Sequence, residues 1–457
     1  MNLSVNKKMI ATILVLAWPT MLEQLMQTAV QYIDTAMVGT LGTHATAAVG
    51  ATTTVNWLLG STISALGVGF LSYIAKAYGA GKRQDVSRAV AQAVLVTLGA
   101  GLFFTVLTVS VSGMVPVWMQ VDPQIRSLAG SYFLILYLPM LPRTATIIFG
   151  TVLRAGGDTK TPMKVGMLVN LINIILNFLL IYPTRQLNFL GMTVTMPGAG
   201  WGVIGAAAAS AISFALGGIY ITFALWRHPL LSPKGQSLRP DKAILKPCLA
   251  VAVPNMAQRF GTSLGYVAFA SMINSLGEVA TAAHTIANTV ESAFYIPGYG
   301  MQTAAATLAG NACGAGDRQR MKELARMFIP IEVILMILSG GALFLLSPAL
   351  VGIFSKSAAV SALGVTVLRM VAVSEPFYGF SIIMEGMMLG VGNTGKPFVY
   401  NILGMWGVRI VGTLICIRVF SLGLVSAWAC MIAHNLLLFV LYLWNYWTGK
   451  WNPLERK

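Results

Sequence analysis

Gly79-Ala80-Gly81-Lys82-Arg83-Gln84 returns 235 positions later as Gly314-Ala315-Gly316-Asp317-Arg318-Gln319. The same offset carries Pro19, in Ala17-Trp18-Pro19-Thr20, onto Pro254, in Ala252-Val253-Pro254-Asn255. It carries Leu41-Gly42 onto Leu276-Gly277 and Ala45-Thr46-Ala47-Ala48 onto Ala280-Thr281-Ala282-Ala283. Gly157-Asp158-Thr159, with Pro162, meets Gly392-Asn393-Thr394, with Pro397. One match could be chance, but a constant offset held from Pro19 to Pro162 marks a duplicated unit. Near residues 185–198 the first copy carries extra loop. Beyond it Gly202-Val203-Ile204 pairs with Gly423-Leu424-Val425 at an offset of 221.

Composition says what the unit is made of. Of 457 residues, 56% are hydrophobic and only 10% are charged, with a mean hydropathy of +0.74. A soluble domain carries roughly 25% charged residues, so most of this surface must face lipid. A helical span takes about 20 apolar residues, and helices satisfy their own backbone in hydrocarbon. The apolar runs predict twelve spans, near residues 10–38, 47–75, 88–114, 128–150, 163–182, 200–226, 244–274, 282–309, 324–347, 362–389, 397–418 and 422–447.

Six spans per copy is an even number, so both copies insert the same way up. The expected fold is an all-α integral membrane protein with two parallel six-helix lobes and a pseudo-two-fold axis along the membrane normal. Transporters use this plan, with the substrate site between the halves near mid-membrane. The N-lobe is 1–226, the C-lobe 247–457, and a basic, Pro-containing cytoplasmic linker runs over 227–246. Prolines inside spans, among them Pro19, Pro139, Pro142, Pro254, Pro297, Pro330 and Pro376, permit kinks that neighbouring helices can accommodate.

The net charge of +16 reports topology. Of 30 Lys and Arg, 22 fall on the side of the N-terminus, from Lys7 and Lys8 to Arg456 and Lys457. The opposite loops hold Arg126, Arg185, Lys356 and Arg418, while Arg143, Arg259, Arg369 and Arg409 fall inside spans. Cytoplasmic loops carry the Lys/Arg excess, so both termini are expected in the cytoplasm of a multi-pass inner-membrane protein, with no nucleic-acid partner. Cys248, Cys313, Cys416 and Cys430 show neither CxxC spacing nor a disulfide framework. The apolar run after Lys7-Lys8 continues through Gln24, Gln27, Gln31 and Asp34 without an A-x-A site, as a retained first span does.

Polar residues inside spans each need a reason, because an ionisable group at mid-membrane costs some 2.5–3.5 kcal/mol on the insertion scale. Gln24, Gln27, Gln31 and Asp34 share one helical face at spacings 3, 4, 3. Asn170, Asn173 and Asn177 form a second stripe on the fifth span, with Ser210 on the sixth. A carboxylate among amide and hydroxyl oxygens suits a small cation or a protonatable acid. The bland alternative is helix–helix hydrogen bonding. In the second half the eighth span aligns His284, Asn288, Glu291 and Tyr295, and the tenth carries Glu375, Tyr378 and Glu385. Arg259, early in the seventh span, could pair with one of these glutamates, and such a pair is as easily structural as functional. A lone His284 is more often a packing histidine than a proton carrier. No Walker A sequence, paired-Asp diphosphate motif, HExxH or G-x-S-x-G is present, so an enzyme is not expected.

Tyr32-Ile33-Asp34-Thr35-Ala36-Met37-Val38-Gly39, Val152 to Pro162, Asn173 to Asn177, Gly202 to Ala207 and Ala280 to Ala287, in this order, resemble the multidrug and toxic compound extrusion (MATE) family from about residue 10 to 445. The resemblance implies two lobes around a central cavity and export of amphipathic, often cationic compounds by alternating access, driven by H⁺ or Na⁺. It implies no cofactor beyond that coupling ion, membrane lipid and small-molecule substrates as the partners, and a monomer. By motif position Asp34 matches the family's essential first-helix aspartate, and Asn173, Asn177 and Ser210 match positions that join it in a cation site. Asp34 would be a metal ligand only under Na⁺ coupling. Some prokaryotic members have Asp where this chain has Asn177. The acids of a C-lobe sodium site fall here on Thr262 and Tyr378, which leaves Glu291 and Glu385 off the matched places. The cavity is expected to draw on Gln27, Gln31, Asn170, Arg259, Thr262, Tyr266, Asn288, Glu291, Tyr378 and Glu385. A flippase for lipid-linked saccharides, from the same broader superfamily, is the alternative, kept open by Arg143, Arg259 and Arg369. The Asp34 stripe shifted by 235 gives Arg259, Thr262, Tyr266 and Phe269, so the carboxylate is not repeated.

Overall fold

A computed structural model describes residues 3–189 and 192–455, which leaves Arg456 and Lys457 of the charge count outside the described residues. The helices run in order as α1 (Leu3–Gly39), α2 (Thr43–Gly79), α3 (Arg83–Val111), a short α4 (Val115–Trp118), α5 (Arg126–Tyr137), α6 (Met140–Ala155) and α7 (Lys160–Leu180). Strands β1 (Pro183–Phe189) and β2 (Met192–Ala199) follow, then α8 (Gly202–Arg227), α9 (Lys242–Asn274), α10 (Glu278–Gly314), α11 (Arg318–Phe354) and α12 (Ala358–Gly390). The chain ends with α13 (Gly395–Ile402), a π-helical segment (Leu403–Ile410), α14 (Val411–Arg418), α15 (Leu424–Trp447) and a 3₁₀ turn (Pro453–Glu455).

Each expected span lies on helix. Among the described residues nine helices are long and apolar enough to cross a membrane, and α5 with α6, bent by 50°, makes a tenth. The bend falls at Pro139, whose missing N–H breaks the ladder. Helices α9 and α10, of 33 and 37 residues, have spanning length and carry the polar face of the second half. The segment near 185–198, expected as loop, is an antiparallel hairpin with Arg185 opposite Met196 and Leu187 opposite Val194. Its Val and Thr alternation favours strand. Gly198 lets it close, since a Cβ there would lie 2.1 Å from the Tyr182 carbonyl oxygen.

The chain divides into two compact units. One comprises Met1–Gln24, Leu71–Arg83 and Lys246–Lys457; the other comprises Leu25–Phe70 and Gln84–Leu245. In the first, Ile13, Leu16 and Ala17 of α1 join Met301, Leu308, Phe328, Met384 and Met387 in one apolar core. Here α2 crosses α10 in backbone contact. A Cβ on Gly79 would lie 2.0 Å from the Asn311 carbonyl oxygen, and one on Gly314 would lie 1.9 Å from that of Lys76. Gly79 and Gly314 are repeat mates, as are Lys76 and Asn311, so the two contacts are one contact seen twice across a local two-fold.

In the second unit the residues between α8 and α9 are clamped. Arg88 pairs with Asp241 at 2.5 Å, Gln92 Nε2 donates to the Arg239 carbonyl at 2.8 Å, and the Asp241 N–H donates to Gln92 Oε1 at 3.0 Å. Leu231 is fully buried against Gly156, where a Cβ would lie 2.5 Å from its methyl.

Candidate functional site

Three helices of the second unit converge on Asp34. The 3,4 spacing that aligned Asn173 and Asn177 points both into the contact between α7 and its neighbours, and both are buried. Asn177 Nδ2 donates to Asp34 Oδ1 at 2.6 Å and reaches Asn173 at 3.1 Å. The Asn173 amide lies 3.0 Å from Ser210 Oγ on α8 and, turned over, places its nitrogen 2.8 Å from Asp34 Oδ1. Asp34, Asn173, Asn177 and Ser210 therefore lie together, as the resemblance implied.

This geometry serves both charge states of Asp34. With the carboxylate ionised, Asn173 Nδ2 donates to it and Asn173 Oδ1 accepts from Ser210. With a proton on Asp34, the amide reverses: the carboxyl O–H donates to Asn173 Oδ1, and Asn173 Nδ2 donates to Ser210. An amide is the side chain that can exchange donor for acceptor by half a turn about one bond. Asn177 Oδ1 is buried without a partner, which leaves one more oxygen directed at the site.

Around this centre, Gln27 and Gln31 are exposed on α1 and Asn170 is half-buried, its Nδ2 without a partner. Tyr132 of α5, which no stripe revealed, is buried within electrostatic reach of both Asp34 and Arg143. Arg143 is engaged locally: Nη2 donates to Asn56 Oδ1 at 2.7 Å and the guanidinium lies over Phe214 at 4.8 Å.

The second half arranges its polar groups differently. Gln258 Nε2 donates to Glu385 Oε1 at 2.7 Å, with Arg259 in electrostatic reach of the same carboxylate. Tyr378 shares a 2.9 Å hydrogen bond with Tyr299, and Thr262 turns back to the Gln258 carbonyl at 2.9 Å. Glu291 is buried near Glu375 and Arg409, while Asn288 is exposed and Tyr266 half-exposed. The π-helical segment carries Arg409 over the rings of Tyr266 and Phe269, each at 5.3 Å. His284 is a packing histidine: Trp428 Nε1 donates to its Nδ1 at 3.2 Å, and its ring stands edge-on to Phe269 and Trp428. The polar stripes gave no sign of Glu332, and the sequence marked Arg409 only as a cation inside a span. An acid inside Ile329-Pro330-Ile331-Glu332-Val333-Ile334 was signal enough for the first, whereas a change of helical winding has no sequence signature that would have placed the second.

Residues 19–179 match the MatE family, and residues 254–415 match it again. The chain belongs to the MatE family. The two matches start at Pro19 and Pro254, the repeat mates identified at the outset. Its relatives include the probable multidrug resistance protein NorM of Thermotoga maritima, 27% identical over 436 residues that cover 95% of this chain and 92% of the relative. Multidrug and toxin extrusion protein 1 of mouse is 24% identical over 92% of this chain and 72% of its own length. A solved outward-facing multidrug resistance MATE family transporter has the same fold, with a TM-score of 0.89 at 22% identity over 98% of this chain and 96% of that one. As a MatE family protein the chain is a multi-pass membrane transporter of small molecules and not an enzyme.

Proposed function

We propose that this MatE family chain is a cation-coupled antiporter that exports amphipathic, often cationic drugs or toxic compounds by alternating access. The observation that carries the reading is the Asp34 centre, one carboxylate held by two buried amides and a hydroxyl that satisfy it with or without a proton. In this reading H⁺ binds Asp34, the Asn173 amide turns over, and the rearranged contact of α1 with α7 and α8 is the step tied to substrate release. Sodium is the second reading. The unpartnered Asn177 Oδ1, with Asp34 and Asn173 Oδ1, supplies oxygens of the kind a small hard cation takes. Gln27, Gln31 and Asn170 then border the substrate path in the N-lobe, as Arg259, Thr262, Tyr266, Asn288, Glu291, Tyr378 and Glu385 do in the C-lobe.

The Lys/Arg distribution supports cytoplasmic termini, and the repeat supports lobes at 1–226 and 247–457 joined by 227–246. A pyrophosphate-gripping flippase is disfavoured, because Arg143 is committed to Asn56 and Phe214 while Arg369 lies over Phe344 at 5.2 Å. The test is efflux of a fluorescent cation from proteoliposomes under a pH gradient and a Na⁺ gradient imposed separately. Efflux should follow one gradient in the wild type and neither in Asp34→Asn. Full gradient-driven efflux by Asp34→Asn would remove the reading.

A further inference from the structure

The most anomalous polar group of the described residues is Glu332. Its side chain is wholly buried on α11, and neither carboxyl oxygen has a hydrogen-bond partner. It occupies a slot made by glycines on two neighbouring helices. A Cβ on Gly298 of α10 would lie 2.6 Å from Glu332 Oε1, and one on Gly379 of α12 would lie 3.3 Å from Glu332 Cγ. Met336 shares the slot, since the same Cβ atoms would lie 2.5 Å from its Cε and 2.6 Å from its Cγ, and of the two glycines Gly298 is the one that faces the carboxyl group.

All three helices carry a proline beside this slot. Pro297 precedes Gly298, Pro330 lies two residues before Glu332, and Pro376 follows Glu375. A proline inside a helix frees the carbonyl four residues earlier, here those of Ala293, Arg326 and Ala372. The Ala372 carbonyl is turned towards α11, where a Cβ on Gly340 would lie 2.7 Å from it and 3.3 Å from Glu375 Cβ. Glu375, itself buried with Oε2 unpartnered, lies beside Glu291. Glu332 thus sits where α10, α11 and α12 each carry a proline and where no donor reaches its carboxyl group.

We propose that Glu332 is a proton-binding site of the second half, and that the proton it holds sets how α10, α11 and α12 pack around the slot at Gly298 and Gly379. This deepens the antiporter reading and rests on it for the use made of the proton. The titratable groups on the two helices packed against α11 are Glu278, His284, Glu291, Tyr295, Tyr299 and Cys313 on α10 and Arg369, Glu375, Tyr378 and Glu385 on α12. Arg409 is the positive charge that reaches Glu291. A charged Glu332 would have to be solvated by opening the slot, since a buried ion without a partner is not tolerated. A proton on the carboxyl lets the glycines close on it.

A merely buried glutamate and a proton site respond oppositely to an apolar replacement. Replacing an unneeded buried polar group by a hydrophobic one is neutral or stabilising. Glu332→Leu and Glu332→Gln would be purified, melted and assayed for efflux under an imposed pH gradient, and wild type and variants compared by infrared difference spectroscopy on a pH jump. Both variants are expected to melt at or above the wild-type temperature. Gradient-driven efflux should fall roughly tenfold or more, the scale of a lost coupling between two sites. One carboxyl C=O band present in wild type and in Asp34→Asn should vanish in both. Should Glu332→Gln not fold, Gly298→Ala, which pushes a methyl onto Glu332 Oε1, should shift that band. Wild-type efflux and an unchanged band in Glu332→Leu overturn the proposal, as does an unshifted band in Gly298→Ala. The antiporter reading fails separately, if Asp34→Asn still follows the gradient, whatever the Glu332 band does.

Discussion

The two halves share a backbone plan and divide the chemistry unequally. In the first half one carboxylate, Asp34, sits among amide and hydroxyl groups from two other helices, and every one of those groups can reach it or its neighbour. In the second half Glu291, Glu332, Glu375 and Glu385 are spread over three helices, and oxygens of Glu332 and Glu375 have no partner. Duplication supplies geometry, because a crossing that works once works again under the same symmetry. It does not hold side chains, because burying an acid is costly and each copy can solve that cost differently. The first copy surrounds its acid with hydrogen bonds. The second gives Glu385 a donor but leaves both oxygens of Glu332 and one of Glu375 without any.

The sharpest way to break this comparison is to remove an equivalent donor from each half. Asn177 donates to Asp34 at 2.6 Å and Gln258 to Glu385 at 2.7 Å, so Asn177→Ala and Gln258→Ala each delete one short bond to a partly buried acid. Asn177→Ala is expected to reduce gradient-driven efflux by roughly tenfold or more, the scale of a lost site-to-site coupling. Gln258→Ala should change efflux by less than about threefold while costing about 1 kcal/mol of stability, because Asn401 and Tyr442 also reach Glu385. Equal losses of efflux would mean that coupling is shared by both halves.

The scaffold offers the converse experiment. Gly79→Ala drives a methyl into the Asn311 carbonyl and Gly314→Ala drives one into that of Lys76, at nearly the same approach. Each is expected to cost about 1–3 kcal/mol by overpacking, and the two costs should agree. Thermal unfolding measures them. A clear inequality would show that the crossing of α2 with α10 is less symmetric than its backbone contacts.

How much of this was legible beforehand follows from the same contrast. The repeat needed only a constant offset, and the family matches begin at the very residues, Pro19 and Pro254, that defined it. The Asp34 centre was half legible. Spacings of 3 and 4 put Asn173 and Asn177 on one helix face, and the resemblance to known transporters joined that face to Asp34, but Tyr132 entered only through the packing of α5. Periodicity on one helix cannot report which other helix it meets. The hairpin at 183–199 was concealed by its flanking spans, although its Thr and Val alternation was there to read. Arg409 owes its position to the winding of residues 403–410, where a π-turn rotates every later side chain. Glu332 stood alone in an apolar run and formed no stripe, so reading by periodicity passed over it, while the cost of a lone acid would have found it.

The smallest expected effect lies outside the membrane, where the halves differ by a titratable pair. Asp158 holds the start of α7 by accepting from Thr161 N at 3.0 Å and Thr161 Oγ1 at 2.6 Å, and it faces His228 Nε2 at 3.8 Å. The second copy has Asn393 and Gly449 at these places. His228 Nδ1 accepts from the backbone N–H groups of Leu230 and Leu231 at 3.2 and 3.1 Å, so the fold uses the neutral ring. Burial pushes the His228 pKa below its ordinary 6.5, and the opposing pull of Asp158 is the smaller effect. A histidine whose folded pKa is depressed contributes stability that is complete above 6.5 and is lost as pH falls through the folded value. Protonation takes the acceptor away from Leu230 and Leu231 and loosens the turn that buries Leu231 against Gly156. Amide exchange at Leu230 and Leu231, corrected for the intrinsic pH dependence, should accelerate below 6.5 by less than about 1 kcal/mol of protection, while the turn at 447–450 stays unchanged. His228→Gln should flatten the dependence. Constant protection of both amides a full unit below 6.5 would show that the ring holds the turn in either charge state, and that this difference between the halves carries no pH sensitivity.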